Sequence, residues 1–241
     1  MLQKMEVVIL RNIRYSDSSN VVEVYSSVAG RLSFLVRHSR SRNTASALRF
    51  QPFTCWHFEA DIRGHGILHY IREASPAFPC TSVMTCFCKT SLCLFLSEFL
   101  CQLLRQEEPD EPLFAFLRHS IECLETIDET QCANFHVVFL WHLLRFLGVY
   151  PNMESYHPGC CFDLLNAECT DSAIGRSHVL SSTDTALLYQ LQYSDYSNMQ
   201  FLSLSHSQRQ FILETLFVYY KLHFPGIADL KSYGVLQSVF S

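Results

Sequence analysis

The spacing of hydrophobic and polar positions changes once along the chain, close to Pro79. Before this proline, β-branched and aromatic residues form short runs that are separated by turn residues such as glycine, serine and asparagine. Several short strands with turns between them are typical of a small barrel or sandwich. The predicted strands cover residues 6–11, 21–25, 32–36, 53–58 and 66–71.

After this proline, apolar residues recur at three- and four-residue steps, the spacing that places them on one face of a helix. Residues 150–176 have no clear period and contain several prolines and glycines. The second part of the chain is therefore predicted to be helical with one irregular segment. The predicted helices cover residues 83–106, 113–127, 134–148, 184–192, 207–223 and 230–240.

Together the two patterns predict an α+β protein. Residues 1–78 are predicted to form a five-stranded OB-fold barrel, because five short strands in this length suit that fold. Residues 79–241 are predicted to form an all-helical domain, in which residues 150–180 are a short irregular insertion. Hydrophobic residues make up 49% of the chain and charged residues 17%, which excludes a disordered protein.

Charge is distributed unevenly along a chain whose formal net charge is −5. Residues 1–75 contain ten Lys and Arg against six Asp and Glu, whereas the remaining residues contain eight against seventeen. No acidic residue occurs from Val24 to Phe58, although that window contains five arginines. A cationic stretch in an anionic protein indicates a polyanionic partner, so the barrel is predicted to be a nucleic-acid-binding domain.

Both ends of the chain carry short motifs that resemble the RecO family of recombination mediators. Near the N-terminus these are residues 15–25 (YSDSSNVVEVY), residues 30–33 (GRLS) and residues 48–53 (LRFQPF). Near the C-terminus they are residues 220–223 (YKLH) and residues 230–232 (LKS). The order and spacing of these motifs carry the resemblance.

The resemblance implies an N-terminal OB-fold, a helical domain, and binding to single- and double-stranded DNA. Members of the family promote strand annealing and help to load recombinase onto single strands coated by single-strand-binding protein. The implied partners are RecR and the C-terminal tail of single-strand-binding protein, and no cofactor is expected. The implied location is the cytoplasm of a bacterium, in association with the nucleoid. The alternative is a protein-interaction scaffold whose barrel has lost its affinity for DNA.

Arginine suits contacts with phosphate, because its guanidinium group is always charged and matches the geometry of phosphate oxygens. The predicted nucleic-acid-binding residues are Arg14, Arg31, Arg37, Arg40, Arg42 and Arg49. Aromatic residues of the barrel offer a second kind of contact, since bases stack on aromatic rings, and the alternative is that these residues form the core. They are Tyr25, Phe34, Phe50, Phe53, Trp56 and Phe58.

The irregular insertion lies where many members of the resembled family have a zinc finger. A structural zinc site generally draws its ligands from two close pairs. This sequence departs from that pattern, because Cys160 and Cys161 are adjacent, Cys169 has no second cysteine close by, and only His157 precedes Cys160 at a two-residue gap. A metal-free remnant is predicted, and metal binding by these four residues is the alternative.

The chain contains none of the common nucleophile, metalloprotease or nucleotide-binding motifs, so it is predicted not to be an enzyme. It has no apolar run of about 20 residues that could span a membrane. Its eleven cysteines are predicted to be free thiols in a reducing cytosol. The acidic helical domain is predicted to bind protein, through an apolar groove edged by Arg118, Arg145 or Lys221.

Overall fold

The computed structural model describes residues 2–37, 49–62, 68–105, 108–172 and 177–240. Its N-terminal part is a closed barrel with strand order β1-β2-β3-β5-β4, in which only the β3–β5 pair is parallel. The predicted five-stranded barrel followed by helices is confirmed. The barrel strands are β1 (Leu2–Ser16), β2 (Ser19–Ser26), β3 (Gly30–Arg37), β4 (Cys55–Asp61) and β5 (Leu68–Pro76).

Alternate side chains of the barrel strands point inward and form one hydrophobic core. The rings of Phe34 and Phe50 both meet Phe58 edge to face at 5.3 Å, an arrangement that aromatic pairs prefer. The fifth strand extends further along the chain than predicted, because a bulge between Ile71 and Glu73 leaves two successive polar residues exposed and breaks the alternation. The core consists of Met5, Val7, Ile9, Val22, Val24, Leu32, Phe34, Phe50, Trp56, Phe58 and Ala60.

The described residues form two compact units, one made of residues 1–127 with 230–239 and the other of residues 128–229 with 240–241. The predicted boundary between residues 78 and 79 marks the change from strands to helices, and it stays a prediction. The helices of the first unit are α1 (Ser82–Thr85), α2 (Phe87–Leu103), α3 (Glu111–Thr126) and, from the end of the chain, α7 (Tyr233–Val239). The second unit contains α4 (Phe135–Phe146), α5 (Ser182–Tyr189) and α6 (His206–His223).

Glu98 on α2 joins the C-terminal segment to the first unit. Its carboxylate accepts hydrogen bonds from the backbone N–H groups of Lys231, at 3.0 Å, and Ser232, at 2.8 Å. Burial raises the pKa of Glu98, but the hydrogen bonds from Ser232 and Lys231 outweigh it, so the net shift is downward. A carboxylate that stays ionised in this position stabilises the start of α7.

The segment predicted to be irregular contains a small antiparallel sheet of β6 (Cys161–Asp163), β7 (Glu168–Thr170) and β8 (Val179–Leu180), in the order β7-β6-β8. β7 and β8, of three and two residues, are too short to show a period in the sequence. Asp163 forms the turn between β6 and β7, since its side chain accepts hydrogen bonds from the N–H groups of Leu165 and Asn166.

The second unit is built around α4, which is apolar on nearly all sides and buried along most of its length. Two tyrosine hydroxyls of α6 bind backbone carbonyls at 2.8 Å, that of Tyr220 to Leu140 and that of Tyr219 to Val149. Buried hydroxyls that have partners avoid the cost of desolvation. Among the described helices, none combines the length and the apolar character that a membrane span requires.

His136 on α4 predicts acid sensitivity of the second unit. Burial, together with the nearby Arg209, lowers the pKa of His136 to about 3. The unfolded chain, with an imidazole pKa of about 6.5, therefore binds a proton between pH 6.5 and 3 that the folded protein does not bind. Stability is lost as the pH falls through this window, by up to about 1.4 kcal/mol per pH unit.

Between pH 7.5 and 5, this difference in proton binding lowers the free energy of unfolding by about 2 kcal/mol. The wild type should lose that much more free energy of unfolding than His136→Leu, as measured by urea unfolding at both pH values. His119→Leu, which removes an exposed imidazole from α3, is the matched control. Identical pH dependence of the wild type and His136→Leu would contradict the prediction.

Candidate nucleic-acid interface

Three of the predicted arginines lie at one end of the barrel, which is formed by the end of β1, the start of β2 and the end of β3. In the strand register, Arg14 pairs with Asn20 and Ser19 pairs with Arg37. The backbones of Arg14 and Arg37 are thus two strand spacings apart, about 10 Å. We call this end, defined by Arg14, Ser16, Ser19 and Arg37, the basic end.

Both of these arginines are exposed. The guanidinium group of Arg37 forms no ion pair with any other described residue. Arg14 pairs with Asp17 at 2.6 Å, and both side chains are largely in solvent. Exposed ion pairs contribute at most about 1 kcal/mol, so a phosphate can compete for Arg14.

Arg49 belongs to the same end of the barrel. Its guanidinium group donates to the carbonyl oxygen of Ala74 and lies over the ring of Trp56, 5.1 Å from the ring centre. The carbonyl oxygen of the next residue, Phe50, accepts a hydrogen bond from Asn12 at 3.2 Å. Arg49 is exposed, so this anchoring holds its charge at the surface.

Arg40 and Arg42 lie outside the described residues. The segment that contains them joins Arg37 to Arg49, and both of those residues are at the basic end. Of the six predicted arginines, two therefore flank this segment and two belong to it. Arg14 lies at the same end of the barrel.

Arg31 departs from the predicted set, because it lies at the opposite end of the barrel, at the start of β3. Its guanidinium group donates to the carboxylate of Glu23 at 2.6 Å and to the carbonyl oxygens of Cys101 and Leu104 at 2.7 and 3.1 Å. Only 18% of its side chain is exposed. Its charge is therefore directed at the C-terminal end of α2 and not at solvent.

Glu23 also binds Arg11, at 2.7 Å, a residue that sequence reasoning did not single out. Burial raises the pKa of Glu23, but the hydrogen bonds from Arg11 and Arg31 outweigh it and bring the pKa below its ordinary value. The pKa of Arg11 is raised, chiefly by its hydrogen bond to Glu23. These three residues form an ion network on the outer face of the barrel.

The aromatic residues considered for base stacking are all buried, so the alternative that they form the core is correct. A base needs an exposed ring face, and their exposed fractions range from 0% to 7%. The structure instead exposes Tyr15, with 67% of its surface in solvent, and Tyr70, with 50%. Neither was predicted, since exposure at the end of a strand has no signature in the local sequence.

The cysteine-rich insertion shows no arrangement of metal ligands in the described part of the chain, where no group of three His, Cys, Asp or Glu side chains is placed to hold an ion. His157 is instead 2.8 Å from Asp171, and the sulfur of Cys169 is 3.9 Å from that of Met153. Burial, together with the neighbouring Cys160, raises the pKa of Cys169 to about 11. All eleven cysteines are free.

Each basic residue proposed to edge a peptide groove already has a local contact. Arg118 binds Glu6 at 2.8 Å, Arg145 lies 4.4 Å from the ring centre of Tyr150, and the Nζ of Lys221 is 2.8 Å from Asp229. The Lys221 pair is exposed and is therefore weak.

Two family models together match nearly the whole chain. The model described as Recombination protein O N terminal matches residues 1–79, and the model described as Recombination protein O C terminal matches residues 87–233. The chain therefore matches recombination proteins over both its barrel and its helices. This class accounts for both parts of the fold.

The chain is similar over its full length to curated proteins named DNA repair protein RecO. It is 40% identical to that of Bacteroides fragilis and 39% identical to that of Phocaeicola vulgatus, in each case over 242 residues and 100% of both chains. It is 32% identical to that of Azobacteroides pseudotrichonymphae, again over 100% of both chains. The chain belongs to the RecO family and has a role in DNA repair and recombination, which confirms the resemblance read from its end motifs.

Proposed function

We propose that this protein is a recombination mediator that binds DNA at the basic end of its barrel and catalyses no covalent chemistry. The observation that supports the proposal is the meeting of Arg14, Arg37 and Arg49 at one end of the barrel. The segment with Arg40 and Arg42 starts and ends there. Contacts from such groups go to phosphates, so binding is indifferent to sequence and depends strongly on salt.

The mechanism is electrostatic. Two DNA strands repel one another through their phosphates, and arginines that neutralise part of this charge allow complementary strands to approach. The same contacts compete with single-strand-binding protein for the strand and so favour loading of recombinase. None of these steps needs a nucleophile, an acid–base pair or a metal ion.

The helical part of the chain is the proposed site for protein partners. Residues 76–241 carry an excess of acidic residues, which repels phosphates and favours protein ligands. The proposed partners are RecR and the C-terminal tail of single-strand-binding protein, whose acidic and hydrophobic character suits a surface with isolated basic residues. Lys221 is the most available of the three basic residues considered, because its pair with Asp229 is exposed.

Neutralising the basic segment should weaken DNA binding and reduce its dependence on salt. We expect Arg37→Ala/Arg40→Ala/Arg42→Ala to bind a single-stranded oligonucleotide about 100-fold more weakly at 0.1 M salt, because three phosphate contacts are lost. The slope of log affinity against log salt should become shallower by about 2. Fluorescence anisotropy over a salt series measures both quantities.

The matched control is Lys4→Ala/Lys221→Ala/Lys231→Ala, which removes the same charge without touching the basic end. This control should keep the wild-type slope. If both variants lose the same slope, general charge and not the basic end determines binding. If the wild type binds no oligonucleotide at low salt but still retains RecR, the scaffold alternative replaces the proposal.

A further inference from the structure

The side chain of Tyr15 projects into solvent from an irregular position in β1. The register between β1 and β2 shifts between Arg14 and Ser16, so Tyr15 is the extra residue of a bulge and has no partner in the strand register. Bulges redirect side chains and are common beside functional sites. Its 67% exposure places an aromatic ring in solvent at the basic end.

The outer face of the barrel next to Tyr15 is apolar. Ile13 on β1 pairs with Val21 on β2, and Val21 pairs with Leu35 on β3, so that the three form one row across the strands. Ile13 is 38% exposed, and the other two are half-buried. Arg37 lies on one side of this row, and the Arg11–Glu23 ion pair lies on the other.

An exposed ring beside an apolar strip and the arginines of the basic end matches the chemistry of an unpaired nucleotide. Its base offers a flat apolar face, and its phosphate offers a negative charge. In a duplex, bases are stacked on one another and offer no free face, so a stacking side chain favours single strands. Each base stacked on an aromatic side chain contributes about 1–3 kcal/mol.

We propose that Tyr15 stacks on a base of single-stranded DNA and makes the basic end prefer single strands over duplex. This inference rests on the proposed function, because the arginines of the basic end hold the strand that Tyr15 selects. The arginines contribute affinity for both forms of DNA, whereas Tyr15 contributes only where a base is free to leave the stack.

The test compares Tyr15→Ala and Tyr15→Phe for binding to oligo-dT and to a blunt duplex of the same length, at one salt concentration. We expect Tyr15→Ala to weaken binding to oligo-dT by roughly 5- to 150-fold, the range that corresponds to one stacked base, and to change duplex binding less than twofold. Tyr15→Phe should bind as the wild type does. The salt slope of Tyr15→Ala should equal that of the wild type, since no phosphate contact is removed.

Tyr193→Ala is the matched control, because Tyr193 is a tyrosine of similar exposure, 65%, that belongs to the second unit and not to the barrel. It should bind both DNA forms normally. Equal losses for oligo-dT and duplex in Tyr15→Ala, or no loss in either, would overturn the stacking role while the arginine variants still tested the proposed function. Absence of DNA binding by the wild type would overturn both proposals.

Discussion

Replacing Arg31 with methionine should lower the free energy of unfolding by about 3 kcal/mol. The substitution leaves the carbonyl oxygens of Cys101 and Leu104 without the donor at the end of α2, and Glu23 retains only Arg11. Removing one member of a largely buried ion pair costs more than its net contribution, because the other member stays desolvated. Urea unfolding at pH 7.5 measures the change.

Arg37→Met is the matched control, since Arg37 is on the same strand and the same outward face as Arg31 but is exposed. It should alter stability by less than about 0.5 kcal/mol. The two variants should show the reverse order in DNA binding: Arg37→Met weakens it, and folded Arg31→Met keeps the wild-type salt slope. If Arg31→Met has wild-type stability and a shallower salt slope, the prediction is wrong and Arg31 contacts DNA.

Lys89→Met should destabilise the first unit by about 4 kcal/mol, because each buried hydrogen bond to a charged group is worth about 1.5–3 kcal/mol. Lys89 is only 2% exposed. Its Nζ donates to the Ser82 hydroxyl at 2.7 Å and to the carbonyl oxygens of Glu125 and Ile127 at 3.0 and 2.5 Å. It therefore joins the start of α1 to the last turn of α3.

Chemical denaturation of Lys89→Met beside Lys4→Met tests this prediction. Lys4 is largely exposed, and its ion pair with Glu59 is long, at 3.7 Å, so its loss should change stability by less than about 0.5 kcal/mol. Equal unfolding midpoints for the two variants would show that Lys89 adds nothing to the packing of these helices.

Much of the fold follows from local periodicity. Strands that have one face in the core alternate apolar and polar residues, and Leu32 and Phe34 on β3 show this clearly. The same rule missed β7 and β8, because two or three residues are too few to distinguish an alternation from chance. It also misplaced β5, where the outward residues Arg72 and Glu73 interrupt the apolar run.

The candidate site was predicted less completely. The acid-free stretch and its arginines are visible in the sequence, and Arg37 and Arg49 do lie together. Tyr15 was missed because a bulge depends on how β1 pairs with β2, and pairing is a contact between residues distant in sequence. Arg11 was missed for the same reason, since its partner Glu23 comes from the neighbouring strand.

The sequence alone determined that a basic barrel is followed by acidic helices, since both charge and side-chain period are local properties that no packing can alter. The predicted strand, residues 32–36, ended short of Arg31 and Arg37, which lie on one face of β3 because side chains six positions apart in a strand point the same way. Only the tertiary structure decided that the first holds the end of a helix while the second reaches solvent. That difference arises because α2 returns to one end of the barrel and leaves the other open among the described residues.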